Sequence, residues 1–228
     1  MLEGINSLYN QSKPSVYKFG GRLRCRRPAE WLLSVCILVL GLMFFGGKAE
    51  AAFTTIIIDA GHGGHDLGAS RSLIYEKHLN LDVARRLERT LKESGFRTVL
   101  TRKTDDFIPL STRSANANKY RNAIFVSIHF NWSWKSKVTG VETFYRSSSS
   151  RNLATYIQNH LIKQIGCTNR GVKTANFSVL RKTRHPAVLV EGGFVSNKGE
   201  RSSMLDPRYR QVVADSIARG ILEYRKKR

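Results

Sequence analysis

Four residues of this chain, His62, Glu76, His129 and Glu191, have side chains suited to metal-assisted chemistry. Two histidines and a carboxylate suit a catalytic zinc ion, which takes three protein ligands and leaves a position for water. A further carboxylate that does not bind the metal can then act as the base. The gaps of 14, 53 and 62 residues between the four exclude a compact helical motif of the H-E-x-x-H kind. Any site must therefore be assembled by the fold.

Three of the four residues adjoin short apolar runs that are typical of buried strands. These runs are 54–61 before His62, 123–128 before His129 and 186–190 before Glu191. Glu76 stands at the start of a helix-like stretch. In an α/β domain with a largely parallel sheet, the strand ends converge at one edge, where binding sites form. We therefore expect the four side chains to meet at that edge.

Each of these residues, taken alone, also has an ordinary structural interpretation. His62 could be a hydrogen-bonded loop histidine, and His129 could be a satisfied histidine of the core. Glu76 at a helix start complements the helix dipole, and Glu191 could be a buried carboxylate with an arginine partner. From the residues alone, a metal site and these structural roles both stay open.

The hydrophobic pattern of the chain predicts one α/β domain. From about residue 53, apolar strands alternate with amphipathic helices, as in layered α/β folds. We expect strands at 54–60, 97–101, 123–128, 140–145 and 186–190, and helices at 79–91, from Pro109, at 152–165 and at 209–224. No internal repeat and no second folded domain are evident, so we assign residues 52–228 to a single domain.

Residues 1–51 have the features of an export signal. Four arginines between residues 22 and 27 precede the apolar run 31–47, and Ala49–Ala51 forms an A-x-A pattern. We expect cleavage after this pattern. The alternative is an uncleaved membrane anchor with a basic cytoplasmic tail, because a spanning helix needs roughly 17–25 residues. In either case we expect residues 52–228 to act outside the cytoplasm, in the periplasm or cell envelope.

The charge of the chain is strongly basic. Its 38 Lys and Arg residues against 17 Asp and Glu residues give a net charge of +21. Without the seven basic and three acidic residues of 1–51, the remainder has 31 basic and 14 acidic residues and a net charge of +17. An exported basic domain suits a negatively charged envelope polymer. Since no zinc-finger spacing, helix-turn-helix or RNA-binding aromatic signature is found, we expect no nucleic-acid partner.

Four short motifs of this chain resemble one protein family closely. They are IIDAGHGG at 57–64, EKHLNL at 76–81, SIHFN at 127–131 and VEGGFVSN at 190–197. With smaller matches spread in order over residues 54–224, they make the chain similar to the zinc-dependent N-acetylmuramoyl-L-alanine amidases of type 3, which cleave peptidoglycan.

The resemblance implies a fold, a site and a reaction. The fold is a single α/β domain with a mostly parallel, twisted sheet of about six strands and helices on both faces. One zinc ion per chain is bound by His62, Glu76 and His129, and Glu191 is the catalytic carboxylate. The reaction is hydrolysis of the amide bond between N-acetylmuramic acid and L-alanine, for cell-wall remodelling or cell separation. We expect peptidoglycan as the substrate, no membrane contact beyond the N-terminal segment, and a monomer.

Two other functions stay open at this point. A zinc peptidase could cut within the stem peptide, because a metal and a glutamate do not by themselves choose between amide bonds. A non-catalytic envelope-binding protein could use the basic surface, but a binder has no use for a base beside a zinc site. Arginines and lysines around the groove suit the carboxylates of the stem peptide, although the sequence does not say which of them bind.

Four further residues near the motifs are candidates for supporting roles. Asn131 could orient a metal ligand or contact the substrate, and Glu142 could approach the site from its strand. Trp132 and Trp134 could pack against a sugar ring. Each of the four also has a plain structural interpretation.

Overall fold

The computed structural model describes residues 53–228, so the predicted signal or anchor at residues 1–51 lies outside the described residues. None of the helices in this described part is long and apolar enough to cross a membrane. The strands are β1 (Thr55–Ala60), β2 (Ser70–Arg71), β3 (Ile74–Tyr75), β4 (Arg97–Leu100), β5 (Ala123–Asn131), β6 (Val141–Tyr145), β7 (Asn169–Thr174) and β8 (Ala187–Phe194). The α-helices are α1 (Glu76–Glu93), α2 (Leu110–Ala117), α3 (Arg151–Ile165), α4 (Ser178–Lys182), α5 (Lys198–Leu205) and α6 (Pro207–Lys226).

Six strands form one sheet in the order β4-β1-β5-β8-β6-β7. The first four run parallel to one another, whereas β6 is antiparallel to β8 and β7 is parallel to β6. The short strands β2 and β3 pair separately. The predicted single α/β domain with a mostly parallel sheet of about six strands is confirmed.

The central strands are apolar along nearly their whole length because both of their faces are covered. In β1, Ile56 and Ile58 lie in the core on one side of the sheet, and Ile57 lies in the core on the other side. All three are at most 1% exposed. This burial on two faces explains why β1, β5 and β8 are continuous apolar runs with little alternation.

Helices cover both faces, as expected. On one face α6 packs against α3 and α1, and on the other face α2 packs against α4. The inward side of α1 consists of Leu79, Val83, Leu87 and Leu91, which are all buried. Their spacing of four residues places them on one side of the helix. Helix α1 begins at Glu76, and so this packing fixes the position of that carboxylate.

The sequence analysis missed β7, α4, α5 and the β2–β3 pair. Strand β7 has the sequence NRGVKT, in which Val172 is the one strongly apolar side chain, so it lacks the pattern of a buried strand. Helix α4 has five residues, too few for a helical period to be recognised. Strands β5 and β8 also extend further than the predicted runs 123–128 and 186–190, so that His129 and Glu191 lie inside their strands and not after them.

Candidate active site

The loop that follows β1 holds His62 in an unusual backbone conformation. His62 has φ +58°, in the left-handed region that non-glycine residues seldom adopt. Two arginines fix this loop: Arg113 donates to the carbonyl of His62 at 2.7 Å, and Arg102 donates to the carbonyl of Gly61 at 2.9 Å. The guanidinium groups of Arg102 and Arg113 therefore fix the backbone of this loop, which places the His62 imidazole at the edge of the sheet.

Three of the predicted residues come together at this edge. Glu76 Oε2 lies 3.2 Å from His62 Nε2, and Glu76 Oε1 lies 2.8 Å from His129 Nδ1. One ligand atom from each residue can be chosen so that all three lie within 4.8 Å of one another. The fold thus unites residues from a loop, a helix start and a strand into one cluster.

This cluster has the chemistry and the space of a metal site. Tetrahedral zinc with ligands about 2.0–2.2 Å away separates its ligand atoms by about 3.4 Å, a spacing that falls within the 4.8 Å that bounds the three candidate ligand atoms. Burial would raise the pKa of Glu76, but hydrogen bonds from His129 and His62 outweigh it and hold that pKa far below its ordinary value. Glu76 is therefore anionic at neutral pH, as a carboxylate ligand of a metal must be. The residues fit a zinc ion.

Two glycines make room for the ligands. A Cβ atom at Gly61 would lie 2.3 Å from Nε2 of His129, and a Cβ at Gly68 would lie 2.5 Å from Oε2 of Glu76. Side chains at either position would displace a ligand. Gly61 and Gly68 are thus explained by close approach to the cluster, whereas Gly63 and Gly64 approach Asp106 and Phe107.

Glu191 lies next to the cluster on β8. It pairs in register with His129 on β5 and with Glu142 on β6. Among the residues that the structure describes, none donates a hydrogen bond to its buried Oε2 atom. Burial, with the nearby carboxylates of Glu76 and Glu142, raises the pKa of Glu191 well above its ordinary value. Among the described residues, no arginine forms the ion pair with Glu191 that the structural interpretation required. A carboxylate of raised pKa is suited to proton transfer.

Sequence reasoning missed two residues that orient the ligands. His62 Nδ1 lies 2.8 Å from Asp66 Oδ1, and Asn80 Nδ2 donates to Glu76 Oε1 at 3.1 Å. Asn80 also donates to the carbonyl of Gly61. Asn80 follows Glu76 by four residues on α1, a helical spacing that could have revealed it. Such outer partners fix the orientation of metal ligands.

The other candidates from the sequence have clear positions. Glu142 is buried opposite Glu191, and it accepts a hydrogen bond from Asn131 Nδ2 at 2.7 Å. Trp134 is 95% exposed on the loop between β5 and β6. Of these residues, Glu142 comes nearest to the predicted catalytic carboxylate.

A groove of about 460 Å³ opens beside the cluster. Its floor includes His62, His129 and Glu191. Its apolar walls are formed by Phe107, Ile108, Leu110, Phe177, Val179 and Leu189. A concave, largely apolar groove with a few converging polar groups is the usual form of a substrate site.

Comparison with known proteins agrees with this geometry. A sequence model described as N-acetylmuramoyl-L-alanine amidase matches residues 56–223. The protein YqiI of Bacillus subtilis (strain 168) is 38% identical over 197 residues, covering 84% of this chain and 95% of YqiI. The N-acetylmuramoyl-L-alanine amidase LytC of the same organism is 38% identical over 174 residues, covering 75% of this chain and 35% of LytC.

A solved structure shares the fold. The catalytic domain of CwlV, an N-acetylmuramoyl-L-alanine amidase from Bacillus (Paenibacillus) polymyxa var. colistinus, superposes with a TM-score of 0.73 at 39% identity, covering 75% of this chain and 98% of that domain. The matched region contains all four candidate residues and every strand of the six-stranded sheet except the first residue of β1. The chain belongs to the N-acetylmuramoyl-L-alanine amidase family.

Proposed function

We propose that this chain hydrolyses the amide bond between N-acetylmuramic acid and L-alanine in peptidoglycan, with zinc bound by His62, Glu76 and His129 and with Glu191 as the base. The observation that carries the proposal is the convergence of three candidate ligand atoms within 4.8 Å. Beside them lies the carboxylate of Glu191, whose buried Oε2 accepts no hydrogen bond from the residues that the structure describes. The family match supports the choice of bond.

A zinc ion at this site supplies a Lewis acid for the carbonyl oxygen and lowers the pKa of a water molecule bound to it. Asp66 and Asn80 hold His62 and Glu76 in place through their side-chain contacts. This second layer keeps the ligand atoms facing one point, which reduces the reorganisation needed on binding.

Glu191 is the proton carrier in this proposal. Its carboxylate accepts a proton from the attacking water and delivers it to the nitrogen of the leaving L-alanine. Burial and neighbouring carboxylates raise its pKa above the ordinary value, which strengthens Glu191 as a base and as the subsequent acid. General acid–base catalysis of this kind contributes about 10²–10⁴-fold to a rate.

The bond that is cut distinguishes this function from a peptidase. Mass spectrometry of purified peptidoglycan digested by the protein is the direct test. Stem peptides released with a free amine on L-alanine support the proposal, whereas cuts inside the stem identify a peptidase. Tight binding to peptidoglycan without release would identify the non-catalytic envelope-binding function.

The location of the reaction follows from the N-terminal segment. We propose that residues 1–51 are an export signal or anchor and that residues 52–228 are the catalytic domain, acting in the cell envelope in wall remodelling or cell separation. The arginines between residues 22 and 27 and the apolar run 31–47 support this assignment. Amino-terminal sequencing of the protein recovered from the envelope would show a new terminus at residue 52 for a cleaved signal, and the original terminus for an anchor.

A further inference from the structure

A row of charged side chains continues from Glu191 across the sheet, away from the metal ligands. Glu142 on β6 lies opposite Glu191 in register, and Arg170 and Lys173 on β7 both form ion pairs with Glu142. Glu142 is buried, whereas the side chains of Arg170 and Lys173 are 32% and 41% exposed. One buried carboxylate thus holds two cations at the surface beside the candidate active site.

An irregularity in β7 brings both cations to the same carboxylate. Side chains alternate across a regular strand, so residues three apart would point to opposite faces. Strand β7 has one more residue than β6 between their paired positions, so that Arg170 and Gly171 together oppose Glu142. Gly171 accommodates this bulge with φ +82°. Bulges often re-aim side chains beside active sites, and this one lets Arg170 and Lys173 reach Glu142 together.

Charge distinguishes this side of the site from the apolar groove. The exposed charges on this side are cationic, because the side chains of Arg170 and Lys173 are 32% and 41% exposed whereas their shared partner Glu142 is buried. Arg170 also lies near the carboxylate of Glu200, which leaves Lys173 as the main exposed cation. Among the described residues that line the groove, Arg113 is 2% exposed and paired with Asp59, and the remaining acidic side chains are those of Asp66 and Glu191. An anionic part of a substrate is therefore favoured beside β7, and a neutral part is favoured in the groove.

The spacing of the row fits a peptide. Register neighbours on adjacent strands are about 5 Å apart, so the ammonium group of Lys173, one ion pair beyond Glu142, lies on the order of two such steps from Glu191. An extended peptide spans about 3.3–3.6 Å per residue. The second residue after the scissile bond therefore places its carboxylate within reach of Lys173.

We propose that Lys173, supported by Arg170, binds the free carboxylate of the second residue of the stem peptide and so directs the peptide toward β7. Glu142 is a positioning residue in this arrangement, because its buried carboxylate holds both cations. The inference rests on the amidase function proposed above. It assigns a substrate contact to two basic residues that the sequence alone could not select.

The test compares two soluble muropeptides that differ only in whether the second residue carries a free carboxylate or an amide. With the full-length chain we expect kcat/KM to favour the acid by about tenfold, the effect of a charge-assisted contact. Lys173→Gln should abolish this preference, Lys173→Arg should retain most of it, and Arg170→Gln should reduce it. Lys163→Gln on α3, an exposed position with the same change of charge, should keep the preference intact.

Two results would overturn the subsite: equal kcat/KM of the unaltered protein for both substrates, or loss of rate by Lys173→Gln that is the same for acid and amide. A calorimetric measurement separates this inference from the amidase function. In a Glu191→Gln background, the acid peptide should bind about tenfold more tightly than the amide, and the difference should vanish with Lys173→Gln. If the unaltered protein cleaves neither muropeptide, the amidase function fails, while this binding comparison still decides the subsite.

Discussion

The side chains of His62 and His129 can approach each other because the residues beside them, Gly61 and Gly68, have no side chains to obstruct them. The ring of His129 crosses directly over the α-carbon of Gly61, and Gly68 lies beneath Glu76 and His62. Gly61 and Gly68 are therefore required for a steric reason that concerns the candidate ligands His62, Glu76 and His129. This requirement makes the glycines sensitive reporters of the proposed metal site.

Gly61→Ala should weaken zinc binding by at least tenfold. The new methyl group would lie 2.3 Å from the His129 ring, so the ring must turn away from the other ligands, and metal sites lose about 10–100-fold when ligands are misplaced. Metal content after dialysis against a graded chelator measures the change. Gly199→Ala, where the added Cβ would be 3.4 Å from its nearest neighbour, Asn197 Oδ1, should keep the affinity of the original protein; equal zinc retention by both variants would contradict this account.

At the scale of elements, strand β1 is joined to helix α2 by a buried ion pair. Arg113 Nη1 lies 2.8 Å from Asp59 Oδ1, and both side chains are at most 2% exposed. Ser127 and Thr101 donate to the same carboxylate at 2.7 Å. Since Arg113 also donates to the carbonyl of His62, this ion pair links the stability of the sheet to the shape of the loop that carries His62.

The free energy of unfolding should depend on pH through Asp59. Burial alone would raise the pKa of this carboxyl group, but Arg113 and the hydroxyl groups of Ser127 and Thr101 outweigh burial and hold it below its ordinary value. An aspartate in the unfolded chain has a pKa of about 3.9. Because the folded pKa is lower, the stabilisation is complete above about pH 3.9 and is lost as the pH falls through the folded pKa.

Asp59→Asn should therefore cost about 3–5 kcal/mol at pH 7, because it leaves a buried guanidinium without its counter-charge. The difference from the original protein should shrink as the pH is lowered from 4 toward 2. Urea denaturation at several pH values measures it. Asp82→Asn is the control: Asp82 is 37% exposed and pairs with Arg86 and Arg210. Because solvent screens pairs at an exposed carboxylate, its loss should cost less than the loss of Asp59. A cost for Asp59→Asn that does not change with pH would contradict the argument.

Helices α3 and α6 approach closely at Gly220. A Cβ at this position would lie 2.6 Å from the α-carbon of Ile157, which is backbone and cannot turn aside. Gly220→Ala should destabilise the protein by about 1–3 kcal/mol through overpacking, against a gain of up to about 1 kcal/mol in helix propensity. Thermal denaturation beside the helical Gly199→Ala variant checks this prediction. A higher melting temperature for Gly220→Ala would show that the helices separate without cost.

At the scale of the whole molecule, the sequence predicts the strands and helices that a local hydrophobic pattern specifies, and it misses those that depend on tertiary contacts. The continuous apolar runs gave β1, β5 and β8, and with them the positions of His129 and Glu191. Strand β7 was not predicted, because its extended conformation depends on pairing with β6 and on a bulge at Gly171, which the local sequence does not reveal. The ion pair between Asp59 and Arg113 joins residues 54 positions apart, and no local pattern signals such a contact.

The net charge of the whole molecule should govern its attachment to the wall. Residues 52–228 retain 31 basic and 14 acidic residues, and the Debye length falls from about 10 Å at 0.1 M salt to about 3 Å at 1 M. Binding of the Glu191→Gln variant to isolated sacculi should therefore weaken at least tenfold over this range. A sedimentation assay with increasing sodium chloride measures it. Binding that is indifferent to salt would mean that the basic surface has no part in wall attachment.

The central claim is that His62, Glu76 and His129 bind the metal while Glu191 carries the proton. The most direct test measures zinc content and muropeptide cleavage together, for the original protein and for Glu191→Gln. We predict one zinc ion per chain in both proteins and a loss of about 10²–10⁴-fold in kcat in the variant alone. A Glu191→Gln variant that retains full activity, or an active original protein that contains no metal, would contradict the claim.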